Sequence, residues 1–186
     1  MLGLLLMHRT SDFMIERQPV LLLRRFIGLL LLLALAPMAA EAREFPVADK
    51  VVIEKAAREL HLFQNGEVFR TFKIALGIMP IGDKMKEGDF KTPEGRYVLD
   101  SRNQNSDYFL AIHVSYPNSA DRREAERLGV NPGGAIMIHG QPNVPSRSEA
   151  YYRTQDWTNG CIAVSNSDMI DIWLMTSDNT PIEIRP

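Results

Sequence analysis

The chain has 186 residues, 45% of them hydrophobic, and a formal net charge of −2 at pH 7. This length suits about one globular domain, large enough to bury a core without disulfides or metal. The slight acidic excess gives no support to nucleic-acid binding, which normally shows a basic stripe. The single cysteine excludes an intramolecular disulfide.

The first 42 residues have the pattern of a secretory signal peptide. Arg24-Arg25 form a basic region, residues 26–36 are rich in leucine, and Ala40-Glu41-Ala42 is an A-x-A cleavage site. The uncharged stretch is short against the roughly 20 residues of a membrane-spanning helix, and an uncleaved anchor is the alternative. Met14 is an alternative start. The prediction is therefore a protein exported to the periplasm or cell wall, with a short linker at 43–50 and a domain at 51–186.

The domain begins with predicted β-strands. Residues 60–62 and 72–76 alternate apolar and polar side chains around Asn65-Gly66, the strongest short-range signal for a β-hairpin. Residues 79–91, rich in Gly, Lys and Asp, predict a loop. Further strands are predicted at 97–99, 108–114, up to His139, after Cys161 and at 182–184.

Short helices complete the pattern. A helix is predicted at 120–128, with Asn118 or Ser119 as N-cap and Gly129 at its end. Residues 141–155 predict a loop that crosses the functional site. Ser165 or Ser167 begins a second helix, whose apolar stripe is predicted to face the core: Met169, Ile170, Trp173 and Leu174. No internal repeat, second domain or wall-binding module is found.

Cys161 is the strongest functional candidate. Gly160 precedes it, which suits a tight turn with backbone N–H groups near a reacting atom. His139 ends a short apolar run and could take the thiol proton, as Cys–His nucleophile pairs require. A free thiol in an oxidising compartment is a liability, which favours chemistry. A buried structural thiol is the alternative.

Four segments resemble the catalytic domain of the L,D-transpeptidases, the YkuD family. Its His-Gly followed by Ser/Thr-His-Gly-Cys and an apolar residue is similar to His139-Gly140 and to Thr158-Asn159-Gly160-Cys161-Ile162. Residues 91–97 resemble its TPxG segment, and Leu76-Gly77 the end of its second strand pair. The resemblance covers residues 51–186 and implies a mainly β, sandwich or barrel-like domain with a few short helices.

Two positions depart from the family pattern. Asn159 stands where the family often has histidine, and Ala163 where it commonly has Arg or Asn. The segment Asp156-Trp157-Thr158-x-Gly-Cys-Ile-Ala-Val resembles a divergent branch, some members of which hydrolyse peptidoglycan-linked amides instead of transferring the acyl group. The balance between transfer and hydrolysis is therefore left open.

The resemblance implies roles for the motif residues. Cys161 is the nucleophile and His139 the general base, paired as thiolate and imidazolium. The N–H groups of Gly160 and Cys161 form the oxyanion hole, and Asn159 donates a hydrogen bond to the substrate or the oxyanion. The oxyanion and substrate-binding set is Gly160, Asn159, Thr158 and Trp157. From the residues themselves, Trp157 and the Tyr151-Tyr152 pair either line the peptide groove or pack within their loops. His61 and His113 have no expected catalytic role.

The implied substrate is a peptidoglycan stem peptide, cut at the amide on the carbonyl side of an L-centre of its diamino acid through a thioester on Cys161. An amine acceptor gives transpeptidation and water gives hydrolysis; a non-catalytic wall-binding module is the competing hypothesis. No cofactor is needed. Metal-ligand spacings and a phosphate-binding loop are missing from the sequence. We expect no nucleic-acid partner and no membrane contact beyond the signal segment, and the oligomeric state is open.

Overall fold

The Asn65-Gly66 hairpin forms as its sequence predicts. In the computed structural model, which describes residues 45–186, strand β2 (Glu59–Gln64) turns through these two residues into β3 (Glu67–Lys73). Both turn residues have positive φ, 55° and 83°, as the common two-residue hairpin turn requires. The predicted signal peptide at 1–42 lies outside the described residues.

The strands form one sheet. The other six are β1 (Lys50–Glu54), β4 (Gly95–Ser106), β5 (Phe109–Val114), β6 (Met137–His139), β7 (Ile162–Ala163) and β8 (Thr180–Arg185). Their order is β3-β2-β1-β8-β4-β5-β6-β7. The pairs β1–β8 and β6–β7 are parallel, and the remaining neighbours are antiparallel.

The two ends of the sheet meet. Ala75, just beyond β3, and Ala163 in β7 exchange two backbone hydrogen bonds of 2.8 Å each. Pairing of this kind removes the exposed edges that an open sheet would present. The expectation of a mainly β, barrel-like domain with a few short helices is confirmed.

Three helices accompany the sheet: α1 (Ser119–Leu128), α2 (Glu149–Thr154) and α3 (Asn166–Met175). Asn118 caps α1 in a capping box with Asp121, and Gly129 ends it at φ 66°. Helix α2 replaces part of the loop predicted at 141–155, because six residues are too few to show helical periodicity. Among residues 45–186, no helix is long and apolar enough to cross a membrane.

The stripe predicted for α3 is partly wrong. Ser165 caps the helix as predicted, and Met169 is buried, but Ile170 and Leu174 are 44% and 46% exposed. The helix instead buries Met169, Ile172 and Met175. These buried residues are three positions apart and form one narrow face of the helix. The apolar residues of the sequence cover a wider arc, so some of them point to solvent.

Candidate active site

The turn before Cys161 is held by close backbone approach. Thr158 N–H donates to the Leu76 carbonyl at 3.1 Å, and Ile78 N–H donates to the Thr158 carbonyl at 3.0 Å. Gly77 and Gly160 meet between these bonds: a Cβ on Gly77 would lie 2.1 Å from the Phe90 carbonyl oxygen and 3.1 Å from the Cα of Gly160. This close contact explains why a glycine follows Leu76 in the Leu76-Gly77 segment: no side chain would fit at this position.

Gly160 is required for a second reason. Its φ is +129°, and an added Cβ would lie 2.6 Å from the carbonyl oxygen of Lys91. Side chains rarely adopt this backbone conformation. The predicted tight turn ahead of the thiol is therefore present, packed against residues 91–92.

Thr158 shapes the turn from inside. Its Oγ1 accepts a hydrogen bond from Gly160 N–H at 3.1 Å and donates one to the Cys161 carbonyl at 2.8 Å, and the residue is buried. These bonds change two of the predicted roles. The N–H of Gly160 is already used, which leaves Cys161 N–H, of the two predicted donors, for an oxyanion. Thr158, predicted to belong to the substrate-binding set, orders the turn through its hydroxyl.

The Cys161 thiol is half-buried among backbone groups. Its Sγ donates to the Ala135 carbonyl oxygen at 3.5 Å and accepts from Met137 N–H. Ala135 has φ +55°, uncommon for a residue with a side chain. Burial raises the pKa of the thiol, and the Met137 N–H and the positive charge of Lys84 oppose this rise only in part.

His139 ends β6 and is 4% exposed. Its Nδ1 lies 2.7 Å from the Gly140 carbonyl oxygen, which can only accept, so Nδ1 carries the proton and Nε2 holds a lone pair. Burial lowers its pKa to about 4, although the hydrogen bond to Gly140 raises it. With the thiol pKa raised, this environment favours neutral thiol and neutral imidazole. The predicted thiolate–imidazolium pair is not favoured here, because burial penalises both charges.

Two aromatic rings pack against the imidazole. The Tyr108 ring lies 4.6 Å from it and the Trp157 ring 5.6 Å from it, centroid to centroid. Trp157 is itself fixed by a hydrogen bond from its Nε1 to the Tyr152 carbonyl oxygen at 3.2 Å. The two rings cover part of the imidazole, and its burial is the cause of its lowered pKa.

One cavity of about 650 Å³ brings most of the predicted site residues together. Its lining includes Cys161, His139, Thr158, Asn159 and Trp157. We call it the thiol cavity. Gly160 is buried in the turn and is not part of the lining.

Tyr151 and Tyr152 line a neighbouring cavity of about 530 Å³, which shares Tyr108 and Trp157 with the thiol cavity. The pair therefore lies beside the thiol cavity and is not part of its lining. His61 contacts Thr71 at 2.9 Å and His113 contacts Asp100 at 2.6 Å, and neither lines the thiol cavity. No cluster of metal-ligating side chains occurs within residues 45–186.

Sequence reasoning missed several residues that build the site. Tyr108 was predicted to begin the strand at 108–114, but it stands in the turn before β5, and Phe109, the first residue of β5, has φ +66°. Asp156 accepts from Leu76 N–H at 2.9 Å and from Arg58, which fastens the motif to the first hairpin. Asp156 lay inside the quoted motif, so a side-chain role could have been suspected. Tyr108 gave no local signal.

Asn166, the first residue of α3, packs against the Gly140-Gln141 segment that follows His139. Its Oδ1 accepts from Gln141 N–H at 2.8 Å, and an added Cβ on Gly140 would lie 2.6 Å from that oxygen. The glycine after the histidine is thus needed for this contact. It gives the His-Gly pattern a packing reason.

The described residues thus combine a mainly β sheet whose two ends meet with one cavity that both a cysteine and a histidine line. The family model of the L,D-transpeptidase catalytic domain, YkuD, matches residues 48–184. The chain belongs to this family.

Its relatives are longer proteins. YafK of Escherichia coli K12, provisionally named an L,D-transpeptidase, is 34% identical over 113 residues, 56% of this chain and 44% of YafK. Pgp2, the helical cell shape determining protein of Campylobacter jejuni, superposes with a TM-score of 0.57 at 30% identity, over 73% of this chain and 46% of Pgp2. Bd1075 of Bdellovibrio bacteriovorus gives 0.51 at 25%, over 78% and 50%. This chain spans about half the length of these relatives.

Proposed function

We propose that this protein performs cysteine-dependent acyl transfer on peptidoglycan stem peptides, through a thioester on Cys161. One observation carries the proposal: Cys161 and His139 line the same cavity, and His139 keeps its Nε2 lone pair because Nδ1 is bonded to the Gly140 carbonyl. The family to which the chain belongs acts on peptidoglycan. Similarity to Pgp2 extends the proposal to a role in cell shape.

The chemistry starts from the neutral pair. As the sulfur of Cys161 attacks the amide carbonyl, His139 Nε2 takes the thiol proton, and a C–S bond forms. The oxyanion receives hydrogen bonds from Cys161 N–H and from the Asn159 side chain, which lines the cavity. The C–N bond then breaks, and the imidazolium returns its proton to the leaving amine. A thioester and a free amine result.

The second half of the reaction depends on the acceptor. An amine from another stem peptide gives transpeptidation, and water gives hydrolysis; in either case His139 accepts the proton of the attacking group. A wall-binding module without chemistry would bind stem peptides and leave Cys161 unacylated. We propose that the protein acts after export, in the periplasm or at the cell wall, because its first 42 residues have the pattern of a signal peptide.

The test is to incubate the purified protein with muropeptides and identify the products by mass spectrometry, with a D-amino acid as competing amine. Acyl transfer gives a product with the D-amino acid attached, and hydrolysis gives a shortened stem. An adduct of the mass of the acyl group on Cys161 supports the thioester. Unchanged muropeptides that still bind the protein would favour the wall-binding module.

A further inference from the structure

Lys84 is the buried charged residue of the thiol cavity that the reaction above does not use. It lines the cavity with Cys161 and is 6% exposed. Glu87 and Asp107, the other charged side chains of the lining, are exposed. A lysine is almost never fully buried without a partner for its charge. The hydrogen-bond partners of the Lys84 ammonium therefore indicate whether its role is purely structural.

Asp89 holds Lys84 in place. Lys84 Nζ donates to Asp89 Oδ1 at 2.8 Å and to the Lys86 carbonyl at 3.0 Å. Asp89 also accepts three backbone N–H bonds, from Met85, Lys86 and Lys91. Although burial alone would raise the pKa of Asp89, the hydrogen bonds from Lys84 and these N–H groups lower it. The carboxylate is therefore shared among four donors, and it does not serve Lys84 alone.

A second buried lysine shows what a purely structural one looks like. Lys55 is 2% exposed, and its ammonium donates to three acceptors: the Gly82 carbonyl at 2.7 Å, the Thr92 carbonyl at 3.0 Å and Glu94 Oε1 at 2.7 Å. An ammonium has three N–H donors, so Lys55 is saturated. Lys84 has two acceptors within residues 45–186, which leaves one N–H.

We propose that Lys84 binds a carboxylate of the acyl donor, so that the site favours a peptide with a free carboxylate close to the scissile amide. A peptide whose leaving residue is its C-terminal amino acid supplies such a group. The inference rests on the proposed function for its substrate, and it adds a residue that selects among donors. A fixed ammonium in a partly buried cavity binds a carboxylate more strongly than a solvent-exposed ammonium does, because water screens the ion pair less there.

The first experiment needs no substrate. Cys161 is the only cysteine, so iodoacetate, which carries a carboxylate, and neutral iodoacetamide both report on this thiol. The ratio of their alkylation rates cancels any change in thiol reactivity. Lys84→Met should lower the iodoacetate-to-iodoacetamide ratio about threefold or more. Lys86→Met, an exposed lysine two positions away, removes the same charge and should leave the ratio unchanged. Equal ratios in the two variants overturn the proposal.

Lys84→Arg separates charge from loop damage. It keeps the positive charge, and it should hold the ratio above that of Lys84→Met. The same iodoacetate-to-iodoacetamide ratio in Lys84→Arg and Lys84→Met would show that the charge at position 84 does not affect binding of the carboxylate.

The second experiment compares a stem peptide ending in a free carboxylate with its C-terminal carboxamide. Wild-type protein should prefer the carboxylate about 10- to 100-fold in kcat/KM, and Lys84→Met should lose that preference. A wild-type enzyme that converts both peptides equally overturns the role of Lys84 and leaves the proposed function standing. A wild-type protein that converts neither overturns the proposed function, and the donor selection falls with it.

Discussion

Cys161 and His139 reach the same cavity by different means. The Cys161 turn is fixed by backbone, with two glycines in contact and Thr158 bonded to both ends of the turn. His139 is fixed by side chains, with rings on two sides and a single hydrogen bond. Changes at the turn should therefore alter geometry, and changes around His139 should alter protonation. Backbone contacts therefore hold one side of the cavity, and aromatic side chains set the environment of the other.

The largest effect is expected at the nucleophile. Cys161→Ala and Cys161→Ser should abolish product formation from muropeptides, because no other thiol is present. Mass spectrometry of the products measures this. The midpoint of thermal unfolding should stay near wild type, since the turn is held by its backbone. Full activity in Cys161→Ala would rule out covalent catalysis.

The next effect concerns the base. His139→Gln should lower turnover about 10²- to 10⁴-fold, the usual contribution of a general base. The rate of Cys161 alkylation between pH 5 and 8 should fall as well, since the imidazole no longer accepts the thiol proton. An unchanged alkylation profile in this window would show that His139 is not the base.

Asn159 tests the exposed side of the turn. Asn159→Ala should cost about 10²- to 10³-fold in rate or somewhat less, the usual effect of losing one oxyanion donor. Asn159→His should be tolerated, and the ratio of amine to water products with a competing D-amino acid measures whether it shifts the acceptor. An Asn159→Ala enzyme as inactive as Cys161→Ala would mean that the base is misassigned. Unchanged activity would mean that Asn159 only shapes the turn.

Thr158 tests whether the turn is a matter of geometry. Thr158→Val leaves Gly160 N–H and the Cys161 carbonyl without their partner, and it should lower the free energy of unfolding by about 1–3 kcal/mol. Thr158→Ser keeps the hydroxyl and is the matched control, with a smaller loss. Chemical denaturation measures both variants. A loss in Thr158→Ser as large as that in Thr158→Val would show that the hydrogen bonds of the hydroxyl do not determine the stability of the turn.

The smallest effect is a change in pH dependence. His139 has its pKa lowered from 6.5 to about 4 in the folded protein, so the unfolded chain takes up its proton first as the pH falls. The stability that neutral His139 provides is present above pH 6.5 and is lost between pH 6.5 and 4, by about 3 kcal/mol at most.

Tyr108→Ala should expose the His139 imidazole to water and raise the pKa of His139 toward 6.5. The loss of stability between pH 6.5 and 4 should then be smaller. NMR titration of His139, with unfolding of wild type and His139→Gln at pH 7 and 4.5, measures the difference. A pKa unchanged by Tyr108→Ala would show that other residues keep water from the imidazole.

The sequence alone was enough for the features that local rules govern. Asn65-Gly66 takes the positive φ values of a hairpin turn, Asn118 and Gly129 bound α1, and Ser165 caps α3. The short motifs also led to the family. These features depend on residues a few positions apart, so the amino-acid sequence is sufficient to predict them.

Tertiary structure alone decided the chemistry of those residues. Burial lowers the pKa of His139 and raises that of Cys161, which favours a neutral pair over the expected thiolate–imidazolium pair. The N–H of Gly160 donates to the Thr158 hydroxyl. Two lysines that look alike in the sequence, Lys55 and Lys84, differ in how many acceptors surround them. Desolvation and the number of hydrogen-bond acceptors around a group depend on which residues are its neighbours in space. These neighbours are distant in the sequence, so local sequence patterns do not identify them.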